Sequence, residues 1–183
     1  MLIFIKMKKS VLQEIKIPDG VDVNIARNEV VVKGKEGENK REFKIGKIKI
    51  ERKDNKIIIE HNNSTKKEKK IINTVAAHIR NMIKGVQKKF EYKLKICFSH
   101  FPITVKIEGR KVIIKNFLGE KIERKTKIPE GVEIDVDRDI ITILSTNREK
   151  AGEAAANLEI ATKIRNRDRR VFQDGIFITS KAG

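Results

Sequence analysis

VDVNIARNEVVVKGKEG, from Val21 to Gly37, and ITVKIEGRKVIIKNFLG, from Ile103 to Gly119, are one passage written twice. At an offset of 82 residues Val23 falls on Val105, Ile25 on Ile107, Val30 on Val112, Val32 on Ile114 and Gly37 on Gly119. In both copies apolar and polar residues alternate on either side of a short polar turn, Arg27-Asn28 or Gly109-Arg110. This is the pattern of a half-buried β-hairpin. A more conspicuous pair, IPDGVDVNI from Ile17 and IPEGVEIDV from Ile128, is a decoy, because the segments after the first copy do not reappear after the second.

Further along the chain, KIKIERKDNKIIIE from Lys47 meets VEIDVDRDIITI from Val132, each a second hairpin, with turns predicted at Asp54-Asn55 and Asp137-Arg138. Both copies then become helical. Thr65-x-x-Glu68 and Thr146-x-x-Glu149 read as capping boxes, in which hydroxyl and carboxylate satisfy otherwise unpaired amides. The first helix shows an apolar face of Ile72, Val75, Ile79, Met82, Ile83 and Val86, with Gly85 as its predicted left-handed stop. The second shows a smaller face of Ala151, Ala154, Ala155, Leu158, Ala161 and Thr162.

VLQEIKI from Val11 and KKFEYKLKICF from Lys88 alternate like strands that open the two halves. The expected fold is therefore α+β with an internal duplication, two similar units of antiparallel hairpins each packed against one helix. Residues 1–87 form the first repeat and 88–183 the second, with no Gly/Ser/Pro linker between them. Residues 1–7 read as a lead outside the repeat, and Met7 as an alternative start.

Lys plus Arg number 42 against 25 Asp plus Glu, a formal charge of +17. Self-repulsion on that scale destabilises a compact state unless an anionic partner offsets it, so the expected partner is a polyanion. An acidic membrane surface would require an apolar wedge or anchor beside the charge. The longest uncharged run, Ile96 to Val105, is half of what spans a bilayer and contains His100 and Pro102. No membrane role is expected. MLIFIKMKKS is apolar before it is basic, the reverse of a secretory signal, which makes the cytoplasm the expected compartment.

Catalysis needs a few groups held together with tuned acidity. His61, His78 and His100 have no recognisable nucleophile near them, and neither a Walker loop nor a dinucleotide-binding glycine motif occurs. Cys97-x-x-His100 has no second pair to complete a zinc site, so Cys97 reads as a buried thiol. No catalytic residue, cofactor, metal or small-molecule substrate is expected. Gly34-x-x-Gly37 imitates the clamp of a KH domain but joins strands rather than helices, and reads as a hairpin turn. The aromatics are scattered along the chain, so RNA recognition is expected to rest on phosphates and shape rather than base stacking.

Two basic clusters remain. KKEKK, Lys66 to Lys70, lies at a helix start and reads as a solvated face. KIRNRDRR, Lys163 to Arg170, is different. Lys163 and Arg165, read as the last helical turn, would be favoured there by the helix dipole. Arg167, Arg169 and Arg170 exceed what a helix end can use, and guanidinium suits bidentate phosphate contact. Asp174-Gly175 then reverses the chain, and Ile176 to Ile178 pins it to the body. The candidate RNA-binding residues are Lys163, Arg165, Asn166, Arg167, Arg169, Arg170 and Lys181.

HFPITVKIEG from His100, NFLGEK from Asn116, NMIKGV from Asn81 and RVFQDGIFI from Arg170 resemble the signature segments of the archaeal and eukaryotic form of large-subunit ribosomal protein six. Ile160 stands where that pattern has a glutamine. The resemblance implies a duplicated α+β fold and binding to large-subunit rRNA near the sarcin-ricin region, close to the stalk base where translation GTPases dock. It implies neighbouring ribosomal proteins as further partners, and a ribosomal location. A second role, compatible with the first, is a platform whose first half faces translation factors while RNA holds only the second half. A free cytoplasmic RNA-binding protein or RNA chaperone is the alternative reading.

Overall fold

The four predicted two-residue hairpin turns form, and their first residues, Arg27, Asp54, Gly109 and Arg138, take positive φ angles of 53°, 49°, 59° and 50°. The last of these sits one residue later than expected, at Arg138-Asp139. Its register sets Val136 opposite Ile141 and Ile134 opposite Ile143. A turn at Asp137-Arg138 would have set Val136 against Asp139, and burial of one sheet face selects the apolar register.

The computed structural model describes residues 9–44, 46 and 48–182, so the lead at residues 1–7 with Met7 lies outside the described residues. The chain divides into two compact units between Lys88 and Lys89.

In the first unit, β1 (Lys9–Lys16), β6 (Lys56–Ser64) and β5 (Lys49–Lys53) form one antiparallel sheet, in the order β1-β6-β5. The strands β2 (Asp22–Ala26), β3 (Glu29–Gly34) and β4 (Gly37–Glu42) form a meander. The helix α1 (Lys66–Gln87) packs its predicted face, extended by Ala76, against Val23, Val30, Val32, Ile57 and Ile59. The Thr65–Glu68 capping box forms, with the Glu68 carboxylate accepting the Thr65 amide at 2.8 Å and the Thr65 hydroxyl as well. Those bonds hold the Glu68 carboxyl down at about 2.

Gly85 does not stop this helix. It is buried inside it, and Lys88 leaves in extended conformation. The end is instead held by the β3–β4 turn, where the Glu36 amide donates to the Val86 carbonyl at 2.9 Å. Gly34-x-x-Gly37 is that turn, as predicted, and Gly34 is required by approach: a Cβ there would lie 2.8 Å from Val86.

The second unit repeats the plan. A meander of β8 (Thr104–Glu108), β9 (Lys111–Lys115) and β10 (Arg124–Lys127) faces a sheet of β11 (Val132–Asp137), β12 (Ile140–Ser145), β7 (Phe90–Cys97) and β13 (Gly175–Ser180) in the order β11-β12-β7-β13. The helix α2 (Arg148–Ala161) buries Ala151, Ala154, Ala155 and Leu158. Its N-cap is Asn147 rather than Thr146: the Asn147 side chain accepts the Glu149 and Lys150 amides at 2.9 and 3.4 Å. Asn caps at least as well as Thr, and here one oxygen serves two amides. The third meander strands, GENKRE and RKTK, are too polar to show in the alternation and extend the two-hairpin reading. Cys97, at the end of β7, is half-buried rather than buried.

Candidate nucleic-acid interface

The interface is built where α2 stops. Lys and Arg are good helix formers, so KIRNR alone would continue the helix. It does not, because Thr162 takes the C-cap position. The Thr162 side chain is buried; its hydroxyl lies 3.3 Å from the Glu159 carbonyl as donor and accepts the Ile176 amide at 2.9 Å. One hydroxyl thus fastens the helix end to the start of β13. Lys163 and Arg165 therefore lie beyond α2 rather than in its last turn, which holds no basic residue.

Between Thr162 and Gly175 the chain forms a closed loop. Ile164 is partly buried against the core, and Asn166 takes a left-handed φ of 57°. The Asp168 carboxylate accepts the Arg170 amide at 2.9 Å, and its carbonyl accepts the amides of Val171 and Phe172. The Arg167 guanidinium stacks 4.9 Å from the centroid of the half-buried Phe172 ring. At the far end the buried Asp174 carboxylate accepts the Ser99 amide at 3.1 Å. Both ends of the loop are thus anchored by buried polar groups, while Lys163, Arg165, Asn166, Arg167, Arg169 and Arg170 are exposed.

Among the described residues, no carboxylate pairs with Lys163, Arg165, Arg169 or Arg170. Five cations in eight residues repel one another in the free protein, and that repulsion is relieved by an anion. Lys181 is not part of this group. It follows β13 at the opposite end from the loop, and the adjacent Ala182 carbonyl accepts from Arg148 in the first turn of α2. With α2 about 21 Å long, Lys181 belongs to the other end of the unit. In the first unit, Lys66, Lys67, Lys69 and Lys70 are all exposed.

Sequence reasoning missed Arg124. From the first residue of β10 it donates to the Ala161 carbonyl at 2.8 Å and the Lys163 carbonyl at 3.3 Å, doing at the helix end what Lys163 and Arg165 were expected to do. It also makes a two-toothed pair with Glu120, at 2.8 and 2.6 Å, and lies 4.3 Å over the ring of the fully buried Phe117. The hydrogen bond from Arg124, with the charges of Arg124 and Arg167, holds the Glu120 carboxyl below its ordinary range. The turn that places Phe117 is strained, with Asn116 and Leu118 both at positive φ, 59° and 51°. Glu120-x-x-x-Arg124 was a visible opposite-charge spacing, but no sequence signal tied it to residues nearly forty positions away.

The family model described as Ribosomal protein L6 matches residues 17–89 and 101–175, two stretches that follow the two repeats. The large ribosomal subunit protein uL6 of Methanobrevibacter smithii is 47% identical over 172 residues, covering 94% of this chain and 97% of that protein. That of Methanococcus vannielii is 45% identical, covering 93% and 94%. That of Methanothrix thermoacetophila is 44% identical, covering 96% and 99%. With a match in both repeats and relatives similar over nearly their whole length, the chain belongs to the ribosomal protein L6 family.

Proposed function

We propose that the chain is a structural constituent of the large ribosomal subunit that binds large-subunit rRNA through the loop Lys163–Arg170 and performs no chemistry. The observation that carries the RNA contact is a row of exposed cations, of which Lys163, Arg165, Arg169 and Arg170 have no carboxylate partner among the described residues, held between two buried anchors, Thr162 and Asp174. Anchoring matters because a loop already ordered loses little entropy on binding. The names of the relatives support the ribosomal setting, and with it a cytoplasmic location.

The finer reading is a position near the sarcin-ricin region and stalk base, beside other large-subunit proteins, where the chain supports binding of translation GTPases. In it the second repeat, residues 88–183, holds RNA through Lys163, Arg165, Asn166, Arg167, Arg169 and Arg170, while the first, residues 1–87, faces the factors. Lys181 would touch RNA only as a separate contact at the other end of the second unit.

Sedimentation of the tagged chain from a lysate tests the role. Comigration with the large subunit that survives high salt and is lost after RNase treatment is the expected result. A chain that stays near the top of the gradient at every salt concentration overturns it. The free RNA-binding alternative would instead show similar salt slopes on many RNAs.

A further inference from the structure

We propose that a groove in the second unit receives an unstacked base of the RNA held by the arginine loop; this rests on the RNA-binding role proposed above. The groove, about 870 Å³, lies between the end of β7, the last turn of α2 and the loop. Phe98, Phe172, Phe177 and Ile160 line it, together with Lys163 and Arg169. Phe98, Ile160 and Phe177 are 41%, 58% and 39% exposed, so the lining of the groove leaves apolar surface in water.

The chain has eight Phe and one Tyr. Three of those nine aromatics converge here, which the linear sequence conceals because Phe98 and Phe172 are far apart in the chain. The alternation of β13 turns Ile176 into the core and Phe177 outward. Gly175 leaves space for that ring, since a Cβ there would lie 3.1 Å from it.

The chemistry of the lining selects the occupant. Every nucleobase offers a flat face to an aromatic ring, and every nucleotide brings a phosphate to a neighbouring cation. Lys163 and Arg169 have no carboxylate partner among the described residues, which favours an RNA base over the side chain of another protein. The acids of the lining do not oppose this. Asp174 is buried and accepts from Ser99, and the exposed Glu159 offers an acceptor to an exocyclic amino group. The groove therefore adds base stacking to the phosphate contacts that scattered aromatics had suggested would act alone.

The test uses the full chain and large-subunit rRNA, with binding measured across a salt series and bases footprinted with dimethyl sulfate. Phe98→Leu and Phe177→Leu keep apolar bulk and remove the stacking face. Each should weaken binding about tenfold with an unchanged salt slope, and abolish the protein-dependent change at an unpaired base. Phe98→Tyr, which keeps a ring, should bind as the native chain does; a loss there equal to that of Phe98→Leu would overturn stacking. Leu variants with native affinity and footprint, beside an Arg167→Glu/Arg170→Glu chain that fails to bind, would overturn the groove and leave the RNA role standing. Failure of the native chain to bind would remove that role and the groove with it. Leu variants that keep RNA but lose another subunit protein would assign the groove to that protein instead.

Discussion

The two units solve one problem differently. In each, the last turn of the helix must have its carbonyls satisfied, and in each the partner comes from the meander. In the first unit a backbone amide does it, with Glu36 donating to Val86, and the helix runs 22 residues. In the second a side chain does it, with Arg124 reaching Ala161 and Lys163, and the helix runs only 14. The shorter helix releases chain for the arginine loop and for β13, which adds a fourth strand to the sheet on the outer side of β7. In the first unit β1, which occupies the place of β7, is an edge strand among the described residues. A duplicated framework can thus close one helix end against a turn while the other opens into an exposed basic loop.

The largest expected effect separates the two basic clusters. Arg167→Glu with Arg170→Glu should weaken binding to large-subunit rRNA by about 100-fold or more, since each removes a phosphate contact and adds repulsion. Lys66→Glu with Lys67→Glu should change it by no more than about threefold. Filter binding from low to high salt checks this, and the native chain should have the steeper salt slope. A larger effect from the α1 pair would reverse the assignment of roles to the two units.

The helix ends extend the contrast. Arg124→Ala removes a two-toothed ion pair, two carbonyl contacts and a ring contact at a largely covered site, and should cost the second unit about 2 kcal/mol. It should also lower RNA affinity without removing an RNA contact, because the loop loses its support. Its counterpart, Gly34→Ala, forces a Cβ against Val86 and should cost the first unit about 1–3 kcal/mol by overpacking, with RNA affinity unchanged. Hydrogen exchange resolved by unit distinguishes the two. Loss of protection in both units from either substitution would contradict independent closure of the helix ends.

Much of this framework could be read from the chain itself. The hairpins were legible because one face of each is buried, which imposes alternation, and the Thr65 cap because its partner lies three residues away. β4 and β10 were hidden by polar composition. The end of α2 was hidden because helix propensity continues through KIRNR, while the group that stops it, Thr162, depends on a strand that begins at Gly175. Six of the seven candidate residues share one loop, and Lys181 does not, since the length of β13 separates it from the rest. Arg124 and the Phe98–Phe177 face arise from contacts distant in sequence, which no local pattern encodes.

Smaller effects distinguish the two helix starts. Thr65→Ala and Asn147→Ala should each cost about 1 kcal/mol, read as a lowered midpoint of thermal unfolding. The pH dependence should differ. Glu68 is held at about 2 in the folded chain against an ordinary 4.5, so its contribution is fully present above 4.5 and is lost as pH falls towards 2. The Asn147 side-chain oxygen that accepts the Glu149 and Lys150 amides is neutral and has no charge to lose over that window. The Thr65 amide resonance should shift over that window, and a Thr65 amide that does not move would mean the box is open in solution.

Whether the second unit holds the RNA through its arginine loop is decided by protein–RNA crosslinking of the native chain in purified large subunits, with the linked peptides sequenced. Crosslinks should concentrate between Lys163 and Arg170. Crosslinks concentrated on Lys66 to Lys70 of α1, with the arginine loop unlinked, would move the RNA contact to the first unit and refute that assignment.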